Sequence, residues 1–358
     1  MGKRVGTAKW MEKQNRWQIK VQKDGERRTF TSSKPGRNGQ REANAKADAW
    51  LDEGIENANK RVSALLDEYI ADLKARTSKS HWRNEEYRCR VYLEPGIGKK
   101  RITKVTNQDL QNIINYAFQK GLSKKSLMNL RATMSSFFKF CRKSNVASFY
   151  PEDIIIPVSA AKGEKRILQP EHLTILFAIE TTLYRGKRIF DPYIYAYRLQ
   201  VLTGLRPGEL INIDKKDIFQ DFIKINGSIN IYGEHTSGKN ENAIRVVPLS
   251  ALAKDTVKKQ LRLSQTDNLF EIKSEPYYRK RWKIYCESNH IPYISPYELR
   301  HTFVSIAKNL PEGQLKQIVG HSANMDTYGV YSHTFNGEID NTATNLNNIF
   351  TQFLNLKK

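Results

Sequence analysis

The chain has 358 residues, enough for two or three domains with separate cores. Its 59 Lys and Arg against 37 Asp and Glu leave a formal charge of +22, which points to a polyanionic partner. No run approaches the roughly 18 apolar residues of a membrane span, and "MGKRVGTAKW" lacks the apolar stretch of a signal peptide, so a cytoplasmic protein without a membrane partner is expected.

Residues 1–41 carry twelve basic residues against three acidic ones. Within them "RWQIKVQKDGERRTFTS" alternates around Asp24-Gly25, which predicts a β-hairpin. The following "GQREANAKADAWLDEGI" predicts a helix with Ala43, Ala47, Trp50 and Leu51 on one stripe. A small sheet covered by one helix is expected over residues 1–58.

Residues 61–156 read as all-helical. Leu65, Leu66, Tyr69, Ile70 and Leu73 share a face of "VSALLDEYIADLKAR". "NQDLQNIINYAFQKG" has a cap at Thr106 or Asn107 and a stop at Gly121. Leu127, Leu130, Met134, Phe137, Phe138 and Cys141 form the core stripe of a third helix. A linker with Pro157 and a basic cluster spans 157–165. Beyond it helices are expected around 170–202, short strands near 222–248, and helices to the end. Cys89, Cys141 and Cys286 are isolated and lack metal-ligand spacing, so reduced thiols are expected. The last helix, "NNIFTQFLNLKK", carries more apolar surface than a free tail should expose. Packing on its own domain and docking on a neighbouring subunit remain equal alternatives.

"GEHTSGKN", residues 233–240, imitates a phosphate-binding loop. Asn240 replaces the hydroxyl that would hold magnesium. A strand-like "AIRVVPL" also comes next, where a helix N-terminus is needed. The segment instead predicts a hairpin with Lys239 near its tip.

Four stretches carry chemistry. "TGLRPGEL" places Arg206 at a turn with Glu209 three residues on, and the hairpin supplies Lys239. "SPYELRHTF" opens a helix at Ser295-Pro296 and sets Tyr297 and Arg300 on one face. "IVGHSANMDTYGVYSHTF" supplies His321, Tyr328 and Tyr331. Two arginines can hold the non-bridging oxygens of a phosphodiester and stay charged at any relevant pH. A tyrosine oxygen is a fair nucleophile once neighbouring cations favour its ionised form. A departing alkoxide oxygen needs a proton, a task for a lysine. Such chemistry requires no metal and no cofactor.

In order and spacing these motifs resemble those of the tyrosine recombinase (phage integrase) family, especially the integrases of conjugative transposons and temperate phages. The resemblance implies a multidomain fold: a small β-sheet-plus-helix arm-binding domain (1–58), an all-α core-binding domain (61–156) and a mixed α+β catalytic domain (166–358) ending in an oligomerisation helix. It implies a site-specific DNA recombinase that cleaves and rejoins DNA through a 3′-phosphotyrosyl intermediate. Arg206, Lys239, Arg300, His321 and Tyr331 would be its catalytic residues, with Tyr331 the nucleophile in the family's register and Tyr328 a packing residue. Glu209 would steady the site without touching DNA. Tyr297 stands where the family most often has histidine, and is expected to donate a hydrogen bond to the phosphate. The implied partners are double-stranded DNA at core and arm attachment sites, three further copies in a tetramer, and accessory bending or excision factors. A type IB topoisomerase-like activity and a catalytically silent DNA-binding regulator are the alternatives.

Overall fold

The computed structural model describes residues 6–23, 26–52, 60–236, 244–320 and 338–354. It divides into two compact units, residues 1–163 and 164–358.

The first unit holds two hydrophobic cores. In the smaller, β1 (Lys9–Met11), β2 (Arg16–Lys23) and β3 (Glu26–Ser32) form an antiparallel sheet in that order. The β2–β3 ladder runs from Trp17 opposite Ser32 to Lys23 opposite Glu26. Ile19 and Val21 point alternately inward onto α1 (Gly36–Asp52), where Ala43, Ala47, Trp50 and Leu51 are buried. The expected sheet and helix are present, and β1 is an unforeseen third strand.

The larger core is a helical bundle of α2 (Val62–Arg76), α3 (Lys79–Arg88), α4 (Glu94–Ile97), α5 (Asn107–Gln119) and α6 (Lys124–Lys143). The anticipated stripes on α2 and α6 are buried residue for residue. Thr106 caps α5 through a reciprocal pair with Asp109. The segment after α6 returns to α1, where the Ser148 hydroxyl donates to Asp48 O and Asn44 Nδ2 donates to Glu152.

The second unit starts with α7 (Pro170–Ala178) and continues with β4 (Thr181–Tyr184) and β5 (Lys187–Phe190), an antiparallel hairpin. This hairpin breaks the helical run expected over 170–202. Arg185 and Gly186 both take positive φ, the geometry of its two-residue turn. Next come α8 (Ile194–Thr203), buried on every side, and the short α9 (Pro207–Ile211). β6 (Phe222–Ile225) pairs antiparallel with β9 (Arg245–Pro248), and β7 (Ser228–Ile229) with β8 (His235–Thr236). The expected strands are therefore a base pair of strands with a smaller pair between them. Helices α10 (Ala251–Leu263), α11 (Glu275–Ser288), α12 (Pro296–Ile306), α13 (Glu312–Val319) and α14 (Glu338–Phe353) complete the unit. Leu346, Phe350 and Leu354 at the C-terminus are buried in this unit's own core. In the single chain the last helix thus covers its own domain.

All three cysteines are buried free thiols, and burial pushes Cys89 and Cys141 up to about 12. Among the described residues no helix is long and apolar enough to cross a membrane.

Candidate active site

Arg300 is placed by the start of α12. Ser295 caps this helix and its N–H donates to Glu298 at 2.7 Å, while Pro296 occupies the first helical position. One turn on, Arg300 is only 2% exposed. Its Nη1 donates to Gly204 O at 2.9 Å and its Nη2 to Val319 O. Burial and the neighbouring Arg206 charge lower its pKa to about 10, which still leaves it cationic at neutral pH.

Arg206 is placed by the end of α8. Gly204 terminates that helix with φ +66, and a Cβ there would collide with the Phe303 ring. Arg206 then caps α9. Its backbone N–H donates to Glu209 at 2.9 Å and its Nη1 to the same carboxylate at 2.6 Å. Burial disfavours the Arg206 cation, but the charge and hydrogen bond of Glu209 and a hydrogen bond with Tyr297 outweigh it and raise its pKa.

Glu209 is buried between two arginines. Arg245 grips it from the other side with two hydrogen bonds, at 3.0 and 2.8 Å. Desolvation would raise the Glu209 carboxyl, yet Arg245 and Arg206 hold it below the usual carboxylate range. The expectation that Glu209 steadies the arginine matches these contacts. Arg245 is a site residue that the motifs do not reveal. Its side chain is 7% exposed, and the available signal was a charged residue on the inward phase of a strand whose Val246 points out.

A second pattern joins these groups. Arg245 Nε donates to Ile318 O at 2.7 Å, Arg300 to Val319 O, and Arg206 Nη2 to Gly320 O at 3.0 Å. Three guanidiniums from three chain segments thus take the successive carbonyls at the C-terminus of α13, where the helix dipole favours cations. Gly320 needs its φ of +63, and a Cβ there would press on the Arg245 guanidinium.

Tyr297 is half-exposed at 47%. It shares the rim with Arg206, and its ring meets that of His301 edge-on at 5.5 Å. Burial, Lys165 and Arg300 lower the pKa of His301. The structure therefore brings Arg206, Arg300 and Tyr297 together. Lys239, His321, Tyr328 and Tyr331 lie outside the described residues, although Gly320, bonded to His321, belongs to the carbonyl cluster.

Residues 166–338 match the profile of the Phage integrase family, and residues 62–118 match that of the Phage integrase N-terminal SAM-like domain. The chain is 21% identical over 294 residues to the ICEBs1 integrase of Bacillus subtilis, covering 76% of this chain and 78% of that one. It is 24% identical over 302 residues to the tyrosine recombinase XerD of Staphylococcus saprophyticus, covering 78% and 96%. Among solved structures, the Tn1549 transposon integrase in complex with transposon right end DNA aligns with a TM-score of 0.61 at 19% identity, over 79% of this chain and 98% of that one. A lambda integrase tetramer bound to a Holliday junction aligns with a TM-score of 0.59 at 14% identity, over 87% and 95%. With a converging pair of arginines in the order and spacing of that family's motifs, the chain belongs to the tyrosine recombinase (phage integrase) family.

Proposed function

We propose that this recombinase is the integrase of a mobile element and that Arg206 and Arg300 hold the scissile phosphate. The observation that carries this reading is the convergence of Arg206, Arg300 and Tyr297. Each arginine already spends two N–H groups on protein oxygens, which fixes its plane before DNA arrives. In this reading the Tyr331 oxygen attacks phosphorus and the bond to the 5′-oxygen breaks. Lys239 gives that oxygen its proton, leaving a 3′-phosphotyrosyl bond and a 5′-hydroxyl. A 5′-hydroxyl of a second duplex then attacks phosphorus, releases Tyr331 and completes the exchange. His321 hydrogen-bonds the phosphate as charge develops on it.

The division of labour accords with the same reading. Residues 1–58 take arm sites, 61–156 take core sites, 157–165 link them to the catalytic domain, and 166–358 cut and rejoin. The last helix covers its own domain in the single chain, and its proposed role in oligomerisation is docking on a neighbouring subunit, with packing in cis the equal alternative. The lambda structure is a tetramer on a junction, and four active sites around two duplexes are proposed for this chain as well. Accessory bending or excision factors and a cytoplasmic location complete the proposal.

Strand exchange tests it. Two duplexes of different length, each carrying the junction sequence recovered from cells, are incubated with the full chain. Recombinant lengths are expected. Relaxation of a supercoiled plasmid without recombinant lengths favours the topoisomerase-like alternative, and neither product favours the silent regulator.

Tyr297 supplies a second prediction. A phenol donates a hydrogen bond as imidazole does but stays neutral where histidine titrates. Tyr297→Phe is expected to slow cleavage roughly 10- to 1000-fold, the loss of one transition-state donor. Tyr297→His should keep substantial activity and gain pH dependence between about 6 and 7. Unchanged cleavage by Tyr297→Phe assigns Tyr297 to packing.

A further inference from the structure

Helix α8 is buried on every side, and an apolar residue at each position would satisfy its packing. Gln200, like Arg198 and Thr203 on the same helix, is a polar exception, at 0% exposure. Burying an amide is costly unless every polar atom is paired, and here both ends are. Its Nε2 donates to Leu205 O at 3.1 Å and to Pro296 O at 2.9 Å. Its Oε1 accepts from the Tyr278 hydroxyl at 2.9 Å, and that ring is itself buried on α11. Two carbonyls facing one end of the amide require the NH₂ there, which sets its orientation.

The two carbonyls belong to residues that immediately precede site residues. Leu205 comes just before Arg206, and Pro296 just before Tyr297 and the helical turn that carries Arg300. One nitrogen therefore ties together the two segments that bring the arginines to one place, 96 residues apart in the chain for the Gln200–Pro296 link. The Arg300–Gly204 hydrogen bond is a second tie between the same segments.

We propose that Gln200, held also by Tyr278, is a positioning residue for DNA cleavage that sets the spacing of the Arg206 and Arg300 segments. It touches neither DNA nor the reacting atoms. The proposal rests on the reading of these arginines as phosphate-binding groups.

The test compares Gln200→Leu, Tyr278→Phe, the double variant and Arg300→Ala. Each is assayed for thermal unfolding, duplex affinity and single-turnover cleavage of a nicked duplex carrying the junction sequence recovered from cells. Gln200→Leu is expected to cleave roughly 10- to 100-fold more slowly, the effect of a sub-ångström to one-ångström misplacement. Duplex affinity should stay within about threefold, since Gln200 lies away from the surface. The double variant leaves no orphaned hydroxyl and should regain that share of the lost stability, while Leu205 O and Pro296 O still lack the amide donor. Its cleavage should remain slow.

Cleavage that recovers together with stability in the double variant overturns the positioning role. Should that variant fail to fold, Tyr278→Phe removes one of the three hydrogen bonds that fix the amide, and it should cleave several-fold more slowly at unchanged affinity. Wild-type cleavage by Tyr278→Phe in that event overturns the proposal. Wild-type cleavage by Arg300→Ala overturns the arginine reading, and this proposal with it. An inactive Arg300→Ala beside a fully active double variant removes only the role of Gln200.

Discussion

Tyr331→Phe is expected to yield no covalent protein–DNA adduct while its duplex affinity stays within about twofold of the parent. The substitution removes one oxygen, the proposed nucleophile, and leaves the basic surface that provides most of the affinity. Tyr328→Phe should form adduct at close to the parent rate. The pair is informative because the tyrosines are three residues apart and only one fits the Val-Tyr-Ser-His register. Denaturing gels of a nicked duplex read the outcome directly. Adduct from Tyr331→Phe together with its loss in Tyr328→Phe would move the role to Tyr328.

Arg300→Ala is expected to lower the single-turnover cleavage rate by at least roughly 10²- to 10³-fold, about 3–4 kcal/mol of transition-state stabilisation for one lost donor group. Arg300→Lys should recover only part of this. An ammonium is a point charge and cannot reproduce the planar fork that now spans Gly204 O and Val319 O. A cleavage rate for Arg300→Ala within about threefold of the parent would remove Arg300 from the mechanism.

How much of this was legible in the sequence depended on the range of the interactions. The stripes of α2 and α6 were readable because each helix has one side in a single core, so apolar residues recur at the helical period. The Thr106 cap was readable because its partner, Asp109, is three residues away. The β4–β5 hairpin was not. Its turn is Arg185-Gly186 rather than Asn-Gly, and its exposed Leu183, Tyr184, Ile189 and Phe190 blur the alternation of a half-buried strand.

The site divides in the same way. Arg206, Glu209, Tyr297 and Arg300 sit in short motifs whose turn and cap chemistry is local. Arg245 gains its place only through Glu209, 36 residues away, and Ile318, 73 residues away. Gln200 lies on a helix buried all round, which leaves no period for a polar position to violate. The carbonyl cluster at 318–320 involves backbone oxygens, which no side-chain pattern records.

The cluster also orders the site's parts energetically. A buried arginine whose pKa is lowered to about 10 is a cation held at some cost to the free protein. Carbonyl oxygens at the end of α13 offset part of that cost, and a bound phosphate would offset more.

The most direct measurement is identification of the residue that carries the DNA. The full chain is trapped on a nicked duplex bearing the junction sequence, the adduct is digested with protease and nuclease, and the modified peptide is sequenced by mass spectrometry. The account predicts a single modified residue, Tyr331, bearing a nucleotide through its 3′-phosphate, with a free 5′-hydroxyl on the released strand. Attachment at any other residue, or through a 5′-phosphate, would contradict it.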